Sequence, residues 1–223
     1  QKAFGDVCSS NEGSEAGLFK IYEVIAQDFM FPDPNNVLIF LDNHDLGRFM
    51  QKGESDLRRY KQAIAFLLTT RGIPQIYYGT EILMSGTKAE GDGVIRSDFP
   101  GGWVGDPKDA FTPEGRTDLQ NEAWNYMRKL LNWRQQCDAV KEGKLIHYTP
   151  DRSGCYFYAR VKDNKTVLVL MNGTDQTQTL DMNRFNEVVK DHKSGKDVIT
   201  DTTVAIDTAV QIPARGVYVL EIV

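Results

Sequence analysis

The stretch that decides the fold is Val37-Leu38-Ile39-Phe40-Leu41, followed directly by Asp42-Asn43-His44-Asp45. The first five residues are all apolar, without the alternation of a strand that faces water on one side. Such a run is typical of a strand buried on both faces, as in a parallel sheet covered by helices. The strand ends abruptly in four polar residues, which would lie at its carboxyl end.

Helical patterns lie on both sides of this strand. Before it, apolar residues recur at helical spacing from Leu18 to Phe29, and the helix must stop before Pro32. After it, a second helix runs from Leu57 to Leu68, and a second short strand is expected at Gln75–Tyr78. A long loop from about Thr80 to Gly115 leads to a third helix over 118–136. A loop of this length within a compact domain is usually functional.

These elements form about two βα units. A closed (β/α)8 barrel, the TIM barrel, needs about 250 residues, so the chain is expected to hold only the C-terminal part of one. After Val140 the pattern changes to short alternating runs separated by turn residues, which predicts an antiparallel β-sandwich. Residues 1–140 are therefore assigned to the barrel part and residues 141–223 to the sandwich. The predicted sandwich strands are Leu145–Tyr148, Cys155–Val161, Val167–Met171 and Val217–Val223.

Composition excludes several functional classes. The net charge is -5 and the sequence has no run of Lys and Arg, so nucleic-acid binding is not expected. The three cysteines, Cys8, Cys137 and Cys155, are far apart and favour free thiols over a disulfide framework or a zinc site. No apolar run is long enough to span a bilayer. No signal peptide is recognised, although Gln1 is an unusual first residue.

The polar residues Asn43, His44 and Asp45 are the first candidates for chemistry. In a (β/α) barrel, catalytic groups project from the carboxyl ends of strands. A carboxylate fixed there can stabilise the oxocarbenium-like transition state of glycoside hydrolysis, and a neighbouring His can donate to sugar hydroxyls. The alternative is that this tripeptide simply caps the next helix.

Three motifs in order carry a resemblance to a known family. Phe40-Leu41-Asp42-Asn43-His44-Asp45 resembles the strand-seven motif of the α-amylase family, and Gly72–Glu81 resembles its strand-eight motif. Asp92 and Arg96 stand in the D-x-x-x-R spacing of the following loop, and Ile212–Leu220 resembles the end of the family's C-terminal sandwich. Within the family, Pro32-Asp33-Pro34 and the loop from Arg96 to Gly102 are most similar to neopullulanase and cyclomaltodextrinase-like enzymes of the Bacteroides type.

The resemblance implies a role for four residues. Asp45 matches the transition-state-stabilising carboxylate, and His44 matches the His that binds sugar hydroxyls next to the cleaved bond. Asp92 and Arg96 match residues that hold a glucose further along the donor side, with a surface ion pair as the alternative. Arg48 is interpreted as structural, and Tyr78 and Glu81 are expected to support the barrel end.

The family's nucleophilic Asp and its acid/base Glu belong to motifs that precede these in the family. The chain therefore resembles a fragment of a retaining α-glucan hydrolase that acts on α-1,4 bonds, with α-1,6 bonds as an alternative, and the fragment alone is expected to be inactive. The alternatives are a glucan transferase or a non-catalytic carbohydrate-binding homologue. No metal or other cofactor is expected in this chain, and the family's calcium site would lie mostly outside it.

The expected partners are α-glucan oligosaccharides, together with the rest of the barrel or another copy of the chain. By analogy with the family's starch-handling members, the location is periplasmic or cell-envelope, with cytoplasmic as the alternative.

Overall fold

The computed structural model describes residues 2–5, 17–150, 153–190 and 192–222. Its helices are α1 (Lys2–Gly5), α2 (Leu18–Ala26), α3 (Leu57–Thr69), α4 (Asp92–Ile95), α5 (Asp118–Gln136), α6 (Asp138–Glu142) and α7 (Asn186–Val189). Its strands are β1 (Leu38–Phe40), β2 (Ile73–Gln75), β3 (Lys144–Tyr148), β4 (Cys155–Lys162), β5 (Lys165–Asn172), β6 (Gln178–Asp181), β7 (Ser194–Asp197), β8 (Thr203–Ala205), β9 (Ala209–Ile212) and β10 (Val217–Ile222).

The first part of the chain is built around a parallel strand pair. β1 pairs with β2, with Leu38 opposite Ile73 and Phe40 opposite Gln75. The predicted second strand at residues 75–78 is wrong by two residues, because Pro74 lies inside β2 rather than before it. A proline is tolerated there because β2 has a strand neighbour on one side only among the described residues.

The expectation that β1 is buried on both faces is also wrong for the described chain. Ile39 packs against the helical core, but Leu38 is 54% exposed and Phe40 is 39% exposed. The described residues therefore cover one face of the strand pair and leave the other face apolar and open.

The two longest helices, α3 and α5, both begin at a side-chain cap. Asp56 caps α3 by accepting a hydrogen bond from the Arg58 N–H at 2.9 Å. Thr117 and Gln120 form a capping box at the start of α5, in which each side chain accepts from the other residue's backbone N–H. These two helices pack together and carry most of the helical core.

The second part of the chain is an antiparallel sandwich. One sheet has the strand order β3-β4-β5-β10-β7-β8, and the other consists of β6 and β9. The space between them is filled by apolar side chains from both sheets and from α7, including Phe157, Leu168, Leu220 and Val210. Phe185 stacks on Phe157 with ring centres 3.9 Å apart.

The outer face of the larger sheet is buried as well, because the helices of the first part pack on it. Tyr158, Val169 and Val219 belong to the same apolar cluster as residues of α2, α3 and α5. Polar contacts reinforce this interface: the Gln62 amide donates to the Asn172 carbonyl at 2.7 Å, and the Thr69 and Tyr158 hydroxyls are 2.5 Å apart. The helices thus form one layer, the larger sheet a second and the β6–β9 sheet a third, and the strand pair packs against the helical layer.

Candidate functional site

The loop after β1 presents His44 and Asp45 to solvent. Its turn is held by the Asn43 side-chain oxygen, which accepts hydrogen bonds from the backbone N–H groups of Asp45 and Leu46, both at 2.9 Å. The side chains of His44 and Asp45 are about two-thirds exposed, and His44 Nε2 is 3.3 Å from Asp45 Oδ2. The turn therefore leaves both side chains free to meet a ligand.

The structure excludes the helix-cap alternative for this tripeptide. α3 begins at Leu57 and is capped by Asp56, eleven residues after Asp45. Asn43 caps its own turn and no helix. The polar residues at the end of β1 thus have no role in starting the next helix.

The buried Asp42 side chain connects the start of the loop after β1 to its far end at Phe49. Its carboxylate is buried and accepts hydrogen bonds from the Phe49 backbone N–H at 2.9 Å and from the Thr80 hydroxyl at 3.0 Å. Burial raises the pKa of Asp42, and the hydrogen bonds from Phe49 and Thr80 oppose that rise. Asp42 therefore joins the ends of β1 and β2 and fixes the segment that carries Asp45. The sequence analysis gave Asp42 no role; its signal was a single charged residue directly after an apolar strand.

Arg48 has the structural position that the sequence analysis assigned to it. It is buried, its Nη1 donates to the Tyr78 carbonyl, and its guanidinium lies 4.1 Å from the ring centre of Tyr77 and 4.8 Å from that of Tyr78. The Tyr78 hydroxyl in turn donates to the Ser97 carbonyl at 2.8 Å. Burial raises the pKa of the neighbouring Glu81 carboxyl, which lies at the same end of the strand pair. Tyr78 thus bonds to both loops that carry the candidate site.

The second loop brings Asp92 and Arg96 to the first. Arg96 Nε donates to the His44 carbonyl at 3.0 Å, and its Nη2 lies 3.4 Å from Asp45 Oδ1 and 2.9 Å from Asp92 Oδ2. Asp92 also pairs with Lys88, four residues earlier in the chain. The hydrogen bond from Lys88 lowers the pKa of Asp92, and Arg96 adds to this effect.

All four residues selected from the sequence therefore meet in one ionic cluster, defined here as His44, Asp45, Asp92 and Arg96. Lys88, for which the sequence predicted no role, borders the cluster through its ion pair with Asp92, and no motif marked it. Asp92 and Arg96 do form the surface ion pair that was the alternative to sugar binding, and Arg96 also bonds to the first loop.

The cluster can hold charge, but its carboxylates do not supply the nucleophile and acid pair of a retaining glycosidase. A retaining glycosidase needs a carboxylate nucleophile and a carboxylic acid about 5–5.5 Å apart. Asp92 is paired with two cations, which favours its ionised form and disqualifies it as the acid. The arrangement suits electrostatic stabilisation and sugar binding.

The described residues contain no group of three or more His, Cys, Asp or Glu side chains placed to hold a metal ion. No helix within the described ranges is both long enough and apolar enough to cross a membrane.

Comparisons with known proteins agree with this architecture. Residues 15–139 match the family described as "Alpha amylase, catalytic domain", and residues 145–221 match "Cyclo-malto-dextrinase C-terminal domain". A cyclomaltodextrin glucanotransferase from Thermoanaerobacterium thermosulfurigenes is 32% identical over 166 residues, which is 74% of this chain and 20% of that protein. An alpha-amylase from Niallia circulans is 27% identical over 207 residues, covering 88% of this chain and 35% of that protein.

Solved structures share the fold. The alpha-amylase GTA from Geobacillus thermoleovorans, solved in complex with acarbose, has a TM-score of 0.71 at 24% identity, over 96% of this chain and 45% of that one. AmyP, solved in complex with maltose, has a TM-score of 0.73 at 15% identity, over 99% of this chain and 47% of that one. The chain spans less than half the length of these relatives.

These matches confirm the predicted fold class, the C-terminal part of a (β/α)8 barrel followed by a β-sandwich. The Bacteroides-type subgroup and the boundary at residue 140 stay predictions. Because the catalytic-domain match alone covers more than half of the sequence, the chain belongs to the α-amylase family of glycoside hydrolases.

Proposed function

We propose that this chain supplies the strand-seven and strand-eight side of the active site in an enzyme that cleaves α-glucosidic bonds of starch-like glucans. The observation that carries the proposal is the ionic cluster: Arg96, on the second loop, contacts both His44 and Asp45 on the first. Two loops that are about fifty residues apart in sequence converge on one carboxylate. That carboxylate is about two-thirds exposed, so a ligand can reach it.

In this proposal Asp45 is the carboxylate that stabilises positive charge on the sugar in the transition state. His44 donates to sugar hydroxyls beside the cleaved bond, and Asp92 and Arg96 hold a glucose unit further along the donor side. The nucleophile and the acid come from outside these loops, so the 223-residue chain alone is expected to release no sugar from α-glucans.

The test uses an active polypeptide that contains this sequence. Asp45→Asn should lower kcat by about 10²-fold or more with little change in KM, because the interaction is made mainly in the transition state. Arg96→Ala should mainly raise KM for long maltooligosaccharides. A near-normal kcat for Asp45→Asn would remove Asp45 from the chemistry.

A second candidate function is glucan transfer, and a specific observation favours it. Relatives of this chain include cyclomaltodextrin glucanotransferases as well as an alpha-amylase. The two activities differ in whether water or a sugar hydroxyl attacks the intermediate. Product analysis separates them: hydrolysis of maltoheptaose gives only shorter sugars, whereas transfer gives longer or cyclic ones.

A further inference from the structure

The loop between Arg96 and α5 exposes two large apolar side chains next to each other. Trp103 is 80% exposed and Val104 is fully exposed. Exposing an indole and a valine at one point carries a cost in water, and contiguous exposed apolar surface commonly marks a binding site. The described residues therefore leave most of the surface of these two side chains uncovered.

Two hydrogen bonds between Trp103 and Asp106 close the turn that carries the indole. The Asp106 carboxylate accepts from the Trp103 backbone N–H at 3.0 Å, and the Asp106 N–H donates to the Trp103 carbonyl at 3.2 Å. Gly105 completes the turn at φ +93°, a conformation in which a side chain would be strained. These two hydrogen bonds and the glycine conformation therefore define the turn that carries the indole.

The base of the loop is equally constrained. The Ala110 N–H donates to the Pro100 carbonyl at 2.8 Å, and a Cβ on Gly101 would lie 2.6 Å from the Asp109 backbone. Arg116 is buried below, donates to the Ala110 carbonyl at 2.8 Å and lies 4.2 Å from the ring centre of Trp124. A surface group on such a loop binds without a large ordering cost, which is the advantage of preorganisation.

The loop continues directly from the ionic cluster. Ser97, next to Arg96, is tied to Tyr78 through its carbonyl, and Trp103 follows six residues later. Six residues of fully extended chain span at most about 20 Å, so Trp103 lies within the reach of one oligosaccharide that also occupies the cluster.

We propose that Trp103 is a stacking platform for a pyranose ring of a long α-glucan, an accessory binding site beyond the ionic cluster. The C–H groups on one face of a pyranose carry partial positive charge and pack on the negative face of an indole. Asp106 lies beside the platform, and its carboxylate has acceptor capacity left after the Trp103 N–H to accept sugar hydroxyls. The substrate class rests on the function proposed above; the binding platform itself rests on this loop.

The test compares long and short substrates in an active polypeptide that contains this sequence. Trp103→Ala should raise KM for maltoheptaose by about two- to tenfold, the range expected for loss of one aromatic contact, with KM for maltotriose and kcat unchanged. Trp103→Phe should restore part of the affinity. Val104→Ala is the matched control, since it removes a neighbouring exposed apolar side chain without an aromatic face, and it should leave both KM values unchanged.

Three outcomes would overturn the proposal: an unchanged KM for maltoheptaose in Trp103→Ala, an equal rise for both substrates, or the same effect in Val104→Ala. A lower thermal midpoint in Trp103→Ala with normal kinetics would also overturn it, because Trp103 would then pack against another part of the protein. Asp45→Asn separates the two proposals. If that variant loses kcat while Trp103→Ala binds normally, the proposed function stands and the platform fails.

Discussion

Replacing Asp42 with alanine removes the acceptor that closes the loop from Asp42 to Phe49. The buried Phe49 N–H and the buried Thr80 hydroxyl would both lose the carboxylate that accepts from them at 2.9 and 3.0 Å. An unpaired buried polar group costs about 1–3 kcal/mol, so Asp42→Ala should lower the free energy of unfolding by about 2–5 kcal/mol. That is a large part of the roughly 5–15 kcal/mol that stabilises a typical domain.

Asp42→Asn is the matched control. The asparagine oxygen can accept from the Phe49 N–H, and the amide N–H can donate to the Thr80 oxygen. Both buried groups keep a partner, so Asp42→Asn should cost only about 1 kcal/mol near pH 4.

The difference in free energy of unfolding between Asp42→Asn and the wild type should depend on pH. Burial raises the pKa of Asp42 in the folded state above its unfolded value. The folded state therefore favours the protonated carboxyl, and the stability that this contributes is present below the unfolded pKa and lost as pH rises through the folded pKa. Asparagine cannot ionise, so Asp42→Asn should gain stability relative to the wild type between about pH 4 and pH 7.

Urea unfolding of the wild type and both variants at these two pH values provides the measurement. The difference between variant and wild type is the informative quantity, because other carboxyls act in the opposite direction; the hydrogen bond from Arg58, for example, lowers the pKa of Asp56. The reasoning is refuted if Asp42→Ala costs no more than Asp42→Asn, or if the Asn difference is flat or reversed with pH.

Three further predictions concern the interface, the open strand face and a buried thiol. The Thr69 hydroxyl donates to the Ala65 carbonyl and so accepts from Tyr158. Thr69→Val should therefore lower the free energy of unfolding by about 1–3 kcal/mol, because it leaves the Tyr158 hydroxyl unpaired. Tyr158→Phe should lower it by about 1 kcal/mol, and urea unfolding measures both changes. Leu38→Ser with Phe40→Ser should weaken self-association of the chain in sedimentation velocity while changing the unfolding midpoint little, and stronger self-association would contradict an apolar contact. Cys137 is buried and burial raises its pKa, so its labelling by a thiol reagent, followed by peptide mass spectrometry, should require unfolding; fast labelling in native buffer would be the contrary result.

Sequence patterns predicted the elements whose local signals agree with their tertiary setting. α5 was predicted over its observed range from its apolar residues, among them Met127 and Leu130, and the structure adds the capping box of Thr117 and Gln120 that starts it. The predicted position of β2 lay two residues too far along the chain, because Pro74 resembles a strand boundary, while Tyr77 and Tyr78 resemble strand residues. In the structure those two rings turn away to pack on Arg48, a contact between residues about thirty positions apart that no local pattern contains.

The short sandwich strands were missed for a different reason. β7 reads Ser-Gly-Lys-Asp, which has the composition of a turn. It pairs with β10 because Gly195 allows close approach: a Cβ there would lie 2.9 Å from the Leu220 Cβ. The requirement comes from the neighbouring strand, so it is visible only after the sheet has been assembled.

The candidate site likewise has features that local sequence predicts and contacts that it does not. The motifs predicted which residues would carry chemistry, since an Asp after an apolar strand and a D-x-x-x-R spacing are local features. They did not show that Arg96 bonds to the His44 carbonyl or that Asp42 clamps the loop, because those contacts join separate motifs.

Asp45 also shows what geometry adds to a motif. A carboxylate and a unit positive charge about 4 Å apart attract by about 1 kcal/mol in water and about 4 kcal/mol at the effective dielectric of a partly covered protein site. Asp45 is 66% exposed, and Arg96 already lies beside it. At this exposure it would stabilise an oxocarbenium ion only weakly, and Arg96 would compete for the same charge. Its full effect requires that water be excluded from the cluster and that a bound sugar draw Arg96 away from Asp45. The catalytic value proposed for Asp45 is therefore set by what covers the two loops as much as by the motif in which it lies.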